Sequence, residues 1–225
     1  MASTSVIDDY VAGLGSALKG PYRPKRDLVI EARDSLLDTA DALEGDGLGR
    51  AAAELAAVRE FGPLDEIAPG YQQELITCAG RRLATVLFLT MPATALMWSV
   101  IWQIFPSDPL DLATAPWWFV PLARAIDITQ MLIGVTGAVV LVLLGRGLRR
   151  VRRPERLTRR LALLIWGSLP VSIVMCVTLA YGSADADGFA DYPPGVGAVL
   201  ISLLLWLVQL YCASHCLWVS RRSAA

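Results

Sequence analysis

Four long apolar runs in the second part of the chain constrain its fold more than any other feature. Residues 83–105 carry no charge, 126–145 carry only Asp127 at one edge, and 161–181 and 196–219 are again uncharged. A helix rises about 1.5 Å per residue, so each run reaches across a hydrocarbon core of ~30 Å. In lipid the backbone must satisfy its own hydrogen bonds, and helices do so over such lengths. Composition agrees. The chain is 55% hydrophobic and 18% charged, with a mean hydropathy of +0.49, which exceeds what one soluble domain carries. A single soluble domain, a disordered chain and a secreted disulfide scaffold are excluded. The expected architecture is all-α: a small N-terminal cytosolic helical domain over residues 1–80, then a four-helix transmembrane bundle over residues 81–225.

Charge is divided as sharply as hydropathy. Residues 1–80 hold 14 acids and 7 bases, whereas residues 146–160 hold 8 Arg and one Glu. Arg81 and Arg82 precede the first span, and Arg221 and Arg222 follow the fourth. Between spans two and three lie Arg146, Arg149, Arg150, Arg152, Arg153, Arg156, Arg159 and Arg160. The other two connections hold Asp108, Asp111, Asp127, Asp185, Asp187 and Asp191 against Arg124 alone. All basic sets fall on one side of a four-span path. The positive-inside rule therefore predicts a multi-pass protein with both termini and the middle loop in the cytoplasm. The polar, acidic N-terminus gives no signal peptide, so the first span is expected to act as the anchor. Trp98, Trp102, Trp117 and Trp118 are expected at the outer interface and Trp166 and Trp218 at the inner one. Arg124 and Asp127, three apart, are expected to pair. Cys78, Cys176, Cys212 and Cys216 predict no structural disulfide.

The first 80 residues read as short amphipathic helices. Val6, Tyr10, Leu14 and Leu18 predict one helix, started by a Ser5–Asp8 capping box and ended at Gly20-Pro21. A second helix is expected from Pro24, with Leu28, Ala32, Leu36, Thr39 and Leu43 inside, closing at Gly45-Asp46-Gly47. A third carries Leu48, Ala52, Leu55, Val58 and Phe61 and stops at Gly62-Pro63, with Gly62 in a left-handed cap. A short fourth helix, interrupted or kinked at Pro69, leads to the membrane.

The stretch Lys25-Arg26-Asp27-Leu28-Val29-Ile30-Glu31-Ala32-Arg33-Asp34-Ser35-Leu36 is followed by Gly47-Leu48 and Ala51-Ala52-Ala53-Glu54. Then come Val58-Arg59-Glu60-Phe61-Gly62-Pro63 and Ile67-Ala68. Over about residues 4–76 this pattern resembles the HAAS-type, or permease prefix, domain of bacterial membrane proteins. Ser35 departs from it, since many members carry His there. The resemblance implies a cytosolic protein-binding module on the bacterial inner membrane, often associated with PadR-type transcription regulators.

Chemistry-bearing constellations are few. Cys212, His215 and Cys216 form the cluster of soft ligands. Three ligands on one helical patch do not surround a tetrahedral metal, and cysteine also serves as a small apolar residue. Asp185, Asp187 and Asp191 lack the bidentate Glu of an EF-hand loop and read as a solvated acidic loop. One histidine and no paired carboxylates predict no enzyme and no cofactor. Gln103, Gln130, Gln209, Thr94 and Ser172 are the few polar groups in the spans, without the mid-span ionisable residues of an ion-coupled carrier. Gly134, Gly137 and Ala138 are expected to let helices approach closely, within the bundle or in a homo-oligomer. Pro92 and Pro170 are expected to kink spans one and three. The arginine loop lacks interleaved aromatics, so anionic lipid headgroups are expected there rather than nucleic acid. Asp34, Asp38, Asp41 and Glu44 offer a docking surface for that loop or for a partner; a solvated polar face is the simpler alternative. The expected function is that of a non-enzymatic membrane signalling component that binds a cytosolic protein. The alternative is an accessory membrane subunit of a permease or ATPase system.

Overall fold

The computed structural model describes residues 5–104, 116–146, 154–182 and 193–221, and all of its regular elements are helices. They are α1 (Val6–Ala17), α2 (Tyr22–Gly45), α3 (Arg50–Phe61), α4 (Leu64–Ile104), α5 (Phe119–Arg146), α6 (Pro154–Gly182) and α7 (Pro193–Arg221). Four of them, α4 to α7, are long and apolar enough to cross a membrane, so this is a multi-pass membrane protein. The chain divides into two compact units. One is Met1–Ala79 with the end of α7 from Trp218, and the other is Gly80–Leu217.

In the first unit the helical phase corrects several expected faces. Ile7, Tyr10, Leu14 and Leu18 are buried, while Val6 is 38% exposed. Each residue turns about 100°, so Ile7 and Leu18 lie nearly in line, whereas Val6 sits about 120° from Leu18. In α2 the buried residues are Ala32, Leu36 and Ala40, and Thr39 turns its hydroxyl to the Ser35 carbonyl instead. In α3 they are Ala53 and Ala57, which leaves Leu48 and Leu55 exposed. Small alanines let α3 approach α2 closely, and this overrides the larger leucines.

Two hydrophobic clusters result. Ile7, Tyr10, Leu36, Ala40 and Ala57 form one; Leu14, Leu18, Ala32 and Leu75 form the other. Phe61 and Leu64 pack against both. The Phe61 ring meets Tyr10 edge-on, with centroids 5.8 Å apart, and the Tyr10 hydroxyl donates to the Gly62 carbonyl at 2.8 Å. Gly62 has φ +108° and ψ 169°, a region beyond the left-handed helix that only glycine enters readily. Gly47, at φ +99°, closes α2: its N–H donates to the Glu44 carbonyl and that of Leu48 to the Leu43 carbonyl, a Schellman pair. The Gln72 side chain clamps the α1–α2 linker, accepting from the Lys19 N–H at 2.9 Å and donating to the Lys19 carbonyl at 2.7 Å.

α4 is one helix of 41 residues, about 60 Å long. The separate fourth helix and first span expected from the sequence are therefore continuous. Pro69 interrupts nothing: it lies in the second turn, where one lost backbone bond is offset by the flanking ladder. Pro92 in α4 and Pro170 in α6 are likewise passed without a break.

In the second unit the inward positions follow a three–four spacing on every helix. They are Gly80, Ala84, Leu87, Met91, Thr94, Trp98 and Ile101 on α4, and Phe119, Ala123, Ile126, Gln130, Ile133, Gly137, Val140 and Leu144 on α5. On α6 they are Thr158, Ala162, Ile165, Leu169, Ser172, Cys176 and Leu179, and on α7 Gly195, Ala198, Ser202, Leu205, Gln209, Cys212 and Cys216. A 3.5-residue period is the seam of a left-handed helical bundle. Residues off the seam, such as Leu89, Met131 and Val174, are exposed, as lipid-facing positions must be. α4 and α5 approach closely at Gly137, where an added Cβ would lie 3.0 Å from Leu87 Cβ and 3.1 Å from the Ala84 carbonyl. α4 meets α6 at Gly80, whose added Cβ would lie 2.4 Å from Thr158 Oγ1. α4 is tied to α7 by Trp98 Nε1 donating to Ser202 Oγ (3.1 Å) and Gln209 Nε2 donating to Thr90 Oγ1 (2.8 Å). Trp98 thus turns its indole N–H towards α7.

Candidate functional site

α2 has faces of opposite character. Ala32, Leu36 and Ala40 enter the core, while Asp27, Glu31, Asp34, Asp38 and Asp41 fall on the far side within an arc of about 80°. Ile30, 45% exposed, lies beside them with Ser35 and Thr39, and together they form a shallow open strip. Repulsion along such a row disfavours the helix by a few tenths of a kcal/mol, roughly, per like-charged pair. The helix therefore depends on the core face that α1 and α3 cover.

The four acids expected to share one docking surface are divided. Arg50, at the start of α3, bonds Asp41 and also Glu44 at 3.1 Å. Asp34 and Asp38 remain open on the strip and, with Glu31, have no ion pair among the described residues. Asp27 has Arg26 at 3.9 Å, both well exposed.

Arg50 also holds Glu54 at 3.1 Å, and Glu54 accepts from the Ser5 hydroxyl at 2.6 Å. Ser5 Oγ in turn accepts from the Ile7 N–H at 3.2 Å, capping α1. The carboxylate that meets the Ser5 cap side chain is thus Glu54 of α3, not the expected Asp8. Asp8 pairs instead with Arg33 on α2 at 2.8 Å. The Ser5 hydroxyl, then Arg50, hold the Glu54 carboxyl below its usual range, and the three carboxylates push the Arg50 guanidinium up. Nothing in the local sequence marks this network beyond the four-residue spacing of Arg50 and Glu54, because its other members are far apart in the chain.

In the second unit, Gly134 and Gly137 face α4 and Ala138 is half-buried, so this small-residue stripe serves packing within the bundle. Arg156, Arg159 and Arg160 are exposed in the first turns of α6. Arg149, Arg150, Arg152 and Arg153, the Arg146 side chain, and the acids Asp108, Asp111, Asp185, Asp187 and Asp191 lie outside the described residues. Among the described residues no ion pair joins Arg124 to Asp127. Both are exposed, where an ion pair contributes ~0–1 kcal/mol and does not offset the ordering of two side chains. Cys212 and Cys216 lie on the α7 seam, buried, while His215 is turned aside, its ring 6.2 Å from that of Tyr211. No group of three or more His, Cys, Asp or Glu side chains converges to hold a metal among the described residues.

Set against family models, curated proteins and solved structures, the chain matches none. The HAAS-type resemblance therefore rests on the motif residues alone.

Proposed function

We propose that this is a membrane-anchored regulatory component whose N-terminal helical module binds a cytosolic protein and performs no chemistry of its own. The observation that carries the reading is the open strip on α2, where Glu31, Asp34 and Asp38 flank the exposed Ile30 and have no ion pair among the described residues. A partner that fits it presents basic side chains around a small apolar contact. Such a surface gains on-rate and selectivity from charge more than raw affinity. The family resemblance names a PadR-type transcription regulator as the partner. The action that follows is sequestration at the membrane, relieved when the bundle shifts the module.

The bundle acts as anchor in the bacterial cytoplasmic membrane with both termini inside. Its arginine loop contacts anionic headgroups, at ~1 kcal/mol per Arg. Cysteine labelling tests this orientation: residues placed at Asp111 or Asp187 react from outside, and one at Arg156 does not. A photo-crosslinking residue at Asp34 of the full chain, in native membranes, tests the partner. We expect a basic cytosolic protein to be captured there, and capture to fall with Glu31→Gln and Asp38→Asn. Equal capture from the exposed Tyr22 position would refute the strip as the binding face. Capture of an ATPase or permease would replace the regulator with the transporter-subunit reading.

A further inference from the structure

Polar side chains of α4, α5, α6 and α7 cluster at the levels between Thr90 and Trp98 of α4; the buried Thr158, whose Oγ1 also lacks a partner, stands apart from them against Gly80. α5 runs antiparallel to α4 with Gly134 against Met91, so Gln130, one turn further, lies level with the stretch from Thr94 to Trp98. α6 runs parallel to α4 with Thr158 against Gly80, and Ser172 stands as far along α6 as Thr94 does along α4. Ser202 and Gln209 of α7 meet Trp98 and Thr90 directly. Polar groups from all four helices thus gather in a zone about 12 Å deep.

Packing changes at the same levels. On the side towards Gly80, the seam positions Ala84, Leu87, Gly137, Val140, Ala162 and Ile165 are buried. Within the polar zone Trp98, Gln130, Ser172 and Ser202 are half-buried, beside the buried Met91 and Thr94. At its deep end stands Gln209, 2% exposed, with Oε1 lacking any hydrogen-bond partner. The Thr90 hydroxyl donates to the Val86 carbonyl at 2.7 Å, so it accepts from the amide N–H, and this turns the amide oxygen away from Thr90. Gln130 and Ser172 likewise have no side-chain hydrogen bond among the described residues.

We propose that this zone is a hydration site within the membrane bundle, with water bonded to Gln209 Oε1 and continuing to Gln130 and Ser172. No Asp, Glu, Lys, Arg or His occupies these seam positions. An ion would lose its hydration there without a compensating charge. An apolar ligand would leave the amide and hydroxyl groups unsatisfied. Water both donates and accepts, and buried polar groups of this kind hold it with two to four bonds, roughly.

X-ray radiolysis of the full chain in lipid nanodiscs tests the site, because a bound water turned into hydroxyl radical oxidises the side chains beside it. Met91 and Cys212, 8% and 5% exposed, adjoin Thr90 and Gln209 in the bundle. They are expected to be oxidised several-fold faster than the lipid-facing Met131, with oxygen-18 incorporated from labelled water. Gln209→Leu should reduce that rate to the Met131 level. Ser172→Ala, a milder change, should lower it partway with helical content unchanged. Equal rates at Met91, Cys212 and Met131 in the native chain, or rates untouched by both substitutions, would overturn the proposal.

Discussion

Phe61→Ala should unfold the N-terminal unit locally, because this ring is shared by two cores. Full burial would give a cost of ~3–5 kcal/mol for removing a Phe side chain. The ring is only half-buried, which lowers that figure. Its contacts restore part of it, since Phe61 packs on both the Leu36 and the Leu14 clusters and meets Tyr10 edge-on at 5.8 Å. Such an aromatic pair adds ~0.5–1.5 kcal/mol beyond area. The expected loss is therefore about 2–4 kcal/mol, a rise of roughly 30- to 900-fold in the opening equilibrium constant. Hydrogen exchange on the full chain in nanodiscs reads this directly: peptides from α1, α2 and α3 should lose protection together, while those from α5 should not. Tyr10→Leu should cost less and, combined with Phe61→Ala, should show a coupling of about 0.5–1.5 kcal/mol. Loss of protection confined to α3, or a change under tenfold, would show that Phe61 does not join the clusters.

Two further outcomes follow from the packing and the charges. Gly137→Ala places a Cβ 3.0 Å from Leu87 Cβ and should destabilise the bundle by about 1–3 kcal/mol, whereas Gly145→Ala, with nothing within 4 Å, should be neutral or stabilising; denaturation of the helical signal in detergent compares them. The Glu54 carboxyl is held low in the fold, so its contribution is complete above the ordinary carboxyl value and is lost as pH falls through the depressed one. Protection of α1 should therefore decline on acidification below about pH 4 in the native chain. In Glu54→Gln that decline should be absent, which hydrogen exchange across pH would check.

Much of the module was legible because turn chemistry is local. Gly47 and Gly62 end α2 and α3 where the sequence places them, each with a positive φ that suits glycine. The faces were less legible, because apolar size competes with distance of approach. Leu48 and Leu55 outrank Ala53 and Ala57 in hydrophobicity, yet the alanines are buried since they let two helix backbones come together. Pro69 misled for a related reason: it signals a break only where the helix has no other support, and α4 is held through Leu64, Ala68, Tyr71 and Leu75 by the second cluster. The Ser5–Glu54–Arg50 network joins residues 49 apart, a distance over which no spacing rule speaks.

The bundle presents the reverse case, in which the information was present but hydropathy averaged it away. A window that scores Thr94, Gln130, Ser172 and Gln209 as occasional polar interruptions finds four spans and stops there. Their register says more. Thr94 is three residues from Met91 and seven from Leu87, Gln130 is seven from Gly137, Ser172 is seven from Ile165, and Gln209 is seven from Cys216. A seven-residue interval returns each polar group to the same stripe as a buried neighbour. The exposed stripe of Leu89 and Leu96 on α4 continues to Gln103, which is itself exposed and so needs no partner inside the bundle. Polar residues that track the buried stripe must hydrogen-bond inside the bundle, and Gln209 with Thr90 and Trp98 with Ser202 do. Among the described residues α4 and α7 are thus joined by these two polar contacts in an otherwise apolar seam, which makes those contacts the points at which a shift of α7 against α4 would be felt first.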